Sequence, residues 1–154
     1  MNHLRKHSPR WVPNVPIVFN TFTDRAGEYH EPQWNEYVDE DNKVWDMSSG
    51  LIVISNQWKH DEQQTRQTIA HEWQHHVQFH TGFPYDHTTL TITGETYEQS
   101  IKRYFTTSKS ELDALRFEFR TSGIHEQWER LLFEQIKDLR KPPTFSFGNA
   151  NVCY

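Results

Sequence analysis

The sequence predicts an α+β domain in which short strands come first and helices follow. Three observations carry this. The clearest β-branched run, Leu51-Ile-Val-Ile-Ser55, lies in the first half, with Gly50 before it and Asn56 after it. A polar stretch follows, with a helix start at Asp61 and Gln64 and a helix stop at Gly82. Beyond that, Leu112, Leu115 and Phe119, then Trp128, Leu131, Leu132, Ile136 and Leu139, recur at helical spacing. Strands in one block and helices in the next point to segregated layers rather than alternating βαβ units.

At 154 residues the chain suits one domain, 1–154, with a modest core. Only 34% of residues are apolar, yet six Trp and ten Phe bury much area each and argue against disorder. A formal charge of −5, with no basic run beyond Leu4-Arg5-Lys6-His7 and Arg10, argues against general nucleic-acid binding. The lone cysteine, Cys153, leaves no intramolecular disulfide and no Cys-based zinc site. No stretch reads as a signal peptide or a membrane span, so the expectation is a soluble, cytoplasmic protein without a membrane partner.

In chain order, residues 1–14 are basic, carry Pro9 and Pro13, and read as an extended arm. Val15-Pro-Ile-Val-Phe19 reads as a first strand, which Pro16 confines to an edge or a strand start. Asn20 to Asn42 is a polar stretch with Gly27 and Pro32. Tyr37-Val38 and Lys43 to Met47 read as strands around the acidic turn Asp39-Glu-Asp-Asn42, and 50–55 is the strongest strand. A helix is expected over about 61–80, then a loop with Gly82, Pro84 and Gly94 and a strand near 88–93. Further helices are expected over about 95–104, from 108 to Ser122-Gly123, and over 125–140. The stripe of the last is plain core packing. Pro142-Pro143 stops that helix, and 141–154 is a tail. Nothing divides the chain into repeats or linked domains.

The helix over 61–80 contains His71-Glu72-Trp73-Gln74-His75, the pattern H-E-x-x-H. Residues four apart lie one turn above each other, so His71 and His75 can present two imidazole nitrogens to one ion. Glu72 sits about 100° around the helix, beside such an ion rather than on it, where a carboxylate can hold a metal-bound water. Two His and an adjacent base form a zinc hydrolase arrangement, and the mechanism attached to this motif is that of a metalloprotease. Ala70, Trp73 and Val77 fall on the opposite side, with Ile69 near their edge, and give the helix a buried back. His76 and His80 point away from His71 and read as packing or surface residues.

A catalytic zinc usually has three protein ligands. Glu111, Glu95, Asp113, Glu98 and the remaining His residues are the candidates for the third. Ser108 to Glu111 also reads as a capping box, which would turn Glu111 back to its own backbone. Asp113 reads equally as a solvated carboxylate, a salt-bridge partner or an acceptor behind a ligand His. The metzincin extension is excluded, because Gln78 and Thr81 stand where it needs Gly and His.

H-E-x-x-H followed, a few dozen residues on, by Glu111-Leu-Asp113-Ala114 at the start of a helix resembles the gluzincin branch of the zincin metallopeptidases. The likeness is greatest to small single-domain metallopeptidases of bacteriophages and bacteria, and it covers about residues 50–120. It implies a zincin-like fold: a small N-terminal β-sheet, the H-E-x-x-H helix, then C-terminal helices. It also implies one Zn2+ per chain held by His71, His75 and Glu111, a peptide or protein substrate, and a phage-infected or bacterial cell as the setting. Ala114 would let its helix approach the motif helix. Glu95 is the runner-up ligand: it follows His75 at the thermolysin-like spacing, but Gly94 stands where that group has Asn. In some gluzincins an Asp four residues after the ligand Glu holds a ligand His; here Leu115 occupies that position, so the support must come from elsewhere.

The mechanism so implied has Glu72 taking a proton from the attacking water and passing it to the leaving amine. Tyr97, Tyr104, His87 and Arg103 are candidates for a second oxyanion donor by chain position. The strand 50–55 stands near the place where related folds pair an edge with extended substrate. The alternative is a zinc-stabilised interaction module that keeps the fold without turnover; retention of Glu72 favours the enzyme. A DNA-associated protease similar to the SprT-like group would want a basic surface or a zinc ribbon, and neither is present.

Overall fold

The computed structural model describes residues 2–22, 25–84 and 93–122. The expected strand near 88–93, the helix over 125–140, the tail, His87 and Cys153 lie wholly or largely outside them. Within them the protein is a small α+β fold. Its elements are α1 (Asn2–Arg5), β1 (Ile17–Asn20), β2 (Gly27–His30), β3 (Glu36–Val38), β4 (Val44–Asp46), β5 (Leu51–Ser55), α2 (Glu62–Thr81), α3 (Tyr97–Thr107) and α4 (Lys109–Ser122).

β5 is the middle of a three-stranded sheet ordered β1-β5-β2, parallel to β1 and antiparallel to β2. All five of its residues are buried, because it is covered on both faces. Ile52 and Ile54 pack with Ala70, Trp73 and Val77 of α2, while Leu51 and Val53 pack with Val18, Met47, Tyr37 and Trp45 on the other side. That second cover is the β3–β4 hairpin, in which Tyr37 lies opposite Trp45 and the turn Asp39–Asn42 closes with Asn42 at φ 61. A near-continuous apolar strand is the sequence form of such two-sided burial.

Two expectations need correction. The strand at 50–55 is central, with both edges already paired, so it has no edge for substrate. Residues 1–14 are not a free extended arm. Leu4 and Val12, with Val15 just beyond the segment, belong to the core beside α2. Ser8 Oγ accepts a 2.8 Å bond from Trp73 Nε1, and the Arg5 guanidinium lies over the Trp73 ring. The segment therefore clamps the back of α2, because Trp73 offers it both a ring face and an N–H.

β2 arises in a stretch that reads as polar loop, and its residues Glu28 and His30 explain why. It can lie against α2 because of Gly27. A Cβ there would come 2.7 Å from Thr68 Cγ2, 3.1 Å from Val53 O and 3.3 Å from Glu72 Cγ. The glycine is needed for close approach between strand and helix.

α2 begins and ends where its caps dictate. Asp61 accepts from Gln64 N at 3.1 Å, and Gly82 takes the left-handed conformation at φ 74. α3 starts at a reciprocal capping box of Thr96 and Gln99, two residues later than expected. A single residue, Ser108, separates α3 from α4. Its hydroxyl accepts from Glu111 N at 3.1 Å, so Ser108 caps α4 and fixes where that helix points. α4 then packs along α2, with Leu112, Ala114, Leu115 and Phe117 buried. Among the described residues no helix is long and apolar enough to cross a membrane.

Candidate metal centre

The front of α2 and the first turns of α4 bring His71, His75 and Glu111 together. All three are buried, and one ligand atom from each lies within 4.8 Å of the others. Glu111 reaches between the two rings. Its Oε2 is 2.7 Å from His71 Nε2, and its Oε1 is 2.9 Å from His75 Nε2. The second approach has an ion-pair distance without the angles of a hydrogen bond at Glu111 Oε1. The capping-box reading is half fulfilled: Ser108 accepts from the Glu111 backbone, but the Glu111 carboxylate faces the histidines.

Each ring is turned by its other nitrogen. His71 Nδ1 lies 3.2 Å from Glu118 Oε2, and His75 Nδ1 lies 2.9 Å from Gln78 Oε1. The Gln78 amide is itself oriented, since its Nε2 donates to Ser110 O at 2.8 Å and Asp113 Oδ2 at 3.0 Å. Gln74 donates to the same Asp113 oxygen at 2.8 Å. Asp113 therefore stands two bonds behind His75 rather than on a metal. Both Nδ1 positions point at acceptors, which leaves both Nε2 atoms turned toward Glu111.

The electrostatics follow from burial. Burial pulls His71 down, but the Glu111 charge and the hydrogen bonds to Glu111 and Glu118 outweigh it, and the ring is pushed up to about 10. His75 is raised on the same balance, with Glu111 the principal opposing group. Burial pushes Glu111 up, but the two imidazoles reverse this and hold it below the ordinary carboxylate range. Glu72 differs. Burial raises it, the nearby His71 and His75 only partly offset this, and it stands at about 7. Its Oε1 is buried and meets no hydrogen-bond partner among the described residues. An unpaired oxygen on a buried carboxylate is costly unless something else completes it.

A divalent cation fits this donor set. Two neutral imidazole nitrogens and one carboxylate match the three-ligand complement of a catalytic zinc. Glu72, Glu111 and Glu118 are 1%, 0% and 3% exposed, so three buried carboxylates stand with two buried imidazoles. Such a cluster calls for positive charge, from protonated rings or from an ion.

The rival ligand is elsewhere. Glu95 binds Arg103 Nε at 2.9 Å and Ser100 Oγ at 2.8 Å. Arg103, a candidate oxyanion donor by chain position, is thereby bonded from within α3 to Glu95 ahead of the helix, and Tyr104 is buried in the core. Tyr97 opens α3. His76 is a packing residue, as expected: it is buried between Tyr29 Oη at 2.8 Å and Pro13 O at 2.8 Å.

Sequence reasoning missed Glu118, Gln78 as a support and the strand β2. Glu118 had a signal. It lies seven residues after Glu111, which on a helix is within about 20° of the same direction. Gln78 lies one turn beyond His75 on the α2 face that carries the ligands. β2 had only Gly27 to mark it.

No family model matches the chain, and neither the curated proteins nor the solved structures give a match.

Proposed function

We propose that this chain is a zinc-dependent metallopeptidase of the zincin type, with His71, His75 and Glu111 as metal ligands and Glu72 as general base. The observation that carries the reading is the coincidence of two things in one buried place. Three side chains able to hold a metal converge from α2 and α4, and next to them stands the buried carboxylate of Glu72, whose Oε1 meets no hydrogen-bond partner among the described residues. A structural ion would need only the first.

Zinc held there would lower the pKa of a bound water to about 7 and polarise a substrate carbonyl. Glu72 accepts a proton from the attacking water through its unpaired oxygen. It then returns that proton to the leaving amine. Gln78 and Glu118 hold the ligand rings in place during this exchange. Substrate capture falls to β2. It is the edge of the sheet next to Glu72, and among the described residues no strand pairs with its outer side. An extended peptide could add there as a further strand.

The test is Glu72→Gln assayed on a peptide library with zinc-loaded protein. Hydrolysis should fall by about 10²–10⁴-fold, the usual contribution of a positioned base, while bound zinc stays at the wild-type level. Cleavage by wild type that persists unchanged in Glu72→Gln would remove Glu72 from the mechanism. Zinc binding by wild type with no cleavage of any peptide would favour a zinc-stabilised interaction module.

A further inference from the structure

We infer that Glu118 is the positioning residue of the metal centre, holding His71 by its Nδ1 from two turns beyond Glu111 on the same helix. This rests on the reading of His71, His75 and Glu111 as a metal site, though not on peptide hydrolysis.

A neutral imidazole carries one N–H. If His71 Nε2 gives its lone pair to an ion, the proton must sit on Nδ1, and that N–H needs an acceptor in a place water does not reach. Glu118 Oε2 is the acceptor at 3.2 Å. Glu118 is itself buried, which is a costly position for a carboxylate without a partner. Glu111 and Glu118 thus address the two nitrogens of one ring from one helix, Glu111 at Nε2 and Glu118 at Nδ1. Leu115, which lies between them one turn after Glu111, is an apolar core residue and cannot serve. The two rings are also held differently. His71 has a carboxylate behind it, which makes its Nε2 a stronger donor, whereas His75 has the neutral amide of Gln78. Because α4 carries both Glu111 and Glu118, any shift of this helix against α2 moves the ligand and the support together.

The experiment measures zinc affinity by chelator competition, and the visible spectrum of the cobalt-substituted protein, for wild type, Glu118→Gln and Glu118→Leu. Circular dichroism of the metal-free proteins checks folding. Glu118→Leu removes the carboxylate acceptor that Glu118 Oε2 gives the Nδ1 proton. It should weaken zinc by about 10–100-fold, the range found when such supports are removed, and alter the cobalt spectrum. Glu118→Gln keeps an acceptor oxygen but not the charge, and should recover part of the loss. If both folded variants bind zinc as wild type does, with unchanged cobalt spectra, Glu118 is only a packing residue and the inference fails while the metal site stands. The inference fails in the same way if Glu118→Leu misfolds and Glu118→Gln alone matches wild type in both readouts. No zinc or cobalt in wild type would overturn the metal site and this inference together.

Discussion

α2 carries two histidine pairs at the same spacing, His71 with His75 and His76 with His80, and they meet opposite environments. The first pair faces α4 and has the Glu111 carboxylate at both Nε2 atoms. The second faces the sheet and the N-terminal segment. There His76 meets a tyrosine hydroxyl and a backbone carbonyl, and its ring packs against Trp73, Tyr29 and His80. The consequences have opposite sign. Carboxylates push His71 up to about 10, whereas burial, aided by His80 and Arg5, pulls His76 down to about 4 against the opposing Pro13 bond. Histidines one turn apart therefore share no common environment. Only the first pair meets carboxylates from another helix, which complete a group able to hold a metal.

The largest expected effect separates the pairs directly. His71→Ala should lose zinc on dialysis. His76→Ala should keep it, at a cost in stability of about 1–3 kcal/mol for the bonds to Tyr29 and Pro13. Elemental analysis and thermal melts on both variants check this, and zinc loss from His76→Ala alone would reverse the assignment of the two faces.

A smaller effect probes how tightly the front face is built. Gly27→Ala places a methyl group 2.7 Å from Thr68 Cγ2 and close to Glu72 Cγ. It should destabilise the protein by about 1–3 kcal/mol, as overpacking does. It should also lower peptide turnover more than zinc content, because Glu72 is displaced and the ligands are not. Equal losses of zinc and turnover would mean that β2 supports the whole site rather than the base.

The smallest effect is a difference in pH dependence, measured on metal-free protein by denaturant unfolding. His71 binds its proton more tightly folded than unfolded. Its contribution is complete below the unfolded value of about 6.5 and is lost as pH rises toward about 10. His76 is the reverse. The unfolded chain takes up its proton first, so stability is lost as pH falls from about 6.5 to about 4. Removing each ring in turn, as His71→Gln and His76→Gln, should flatten the alkaline limb in the first case and part of the acid limb in the second. The same limb flattened by both variants would contradict the contrast between the pairs.

Legibility in the sequence followed the range of the forces involved. The ends of α2 could be read because caps are local: Asp61, Gln64 and Gly82 act within a few residues of one another or of the helix end they close. His71, Glu72 and His75 could be read for the same reason. Glu111 was readable only through the resemblance, since its side chain chooses between its own helix cap and a distant helix. β2 and the docking of residues 1–14 were not readable. Both depend on tertiary complementarity, of Gly27 with Thr68 and Glu72 and of Ser8 and Arg5 with Trp73. The central place of β5 was legible in principle, because Leu51-Ile-Val-Ile lacks the alternation of a half-exposed edge.

The most direct test of the metal centre is metal content, by elemental analysis, of purified wild type, Glu111→Ala and Glu95→Ala after zinc is supplied. A site built from His71, His75 and Glu111 predicts one zinc per chain in wild type and in Glu95→Ala, and loss or marked weakening in Glu111→Ala. Zinc that survives in Glu111→Ala would contradict Glu111 as the third ligand, and none in wild type would leave His71 and His75 as ordinary buried residues of an α+β domain.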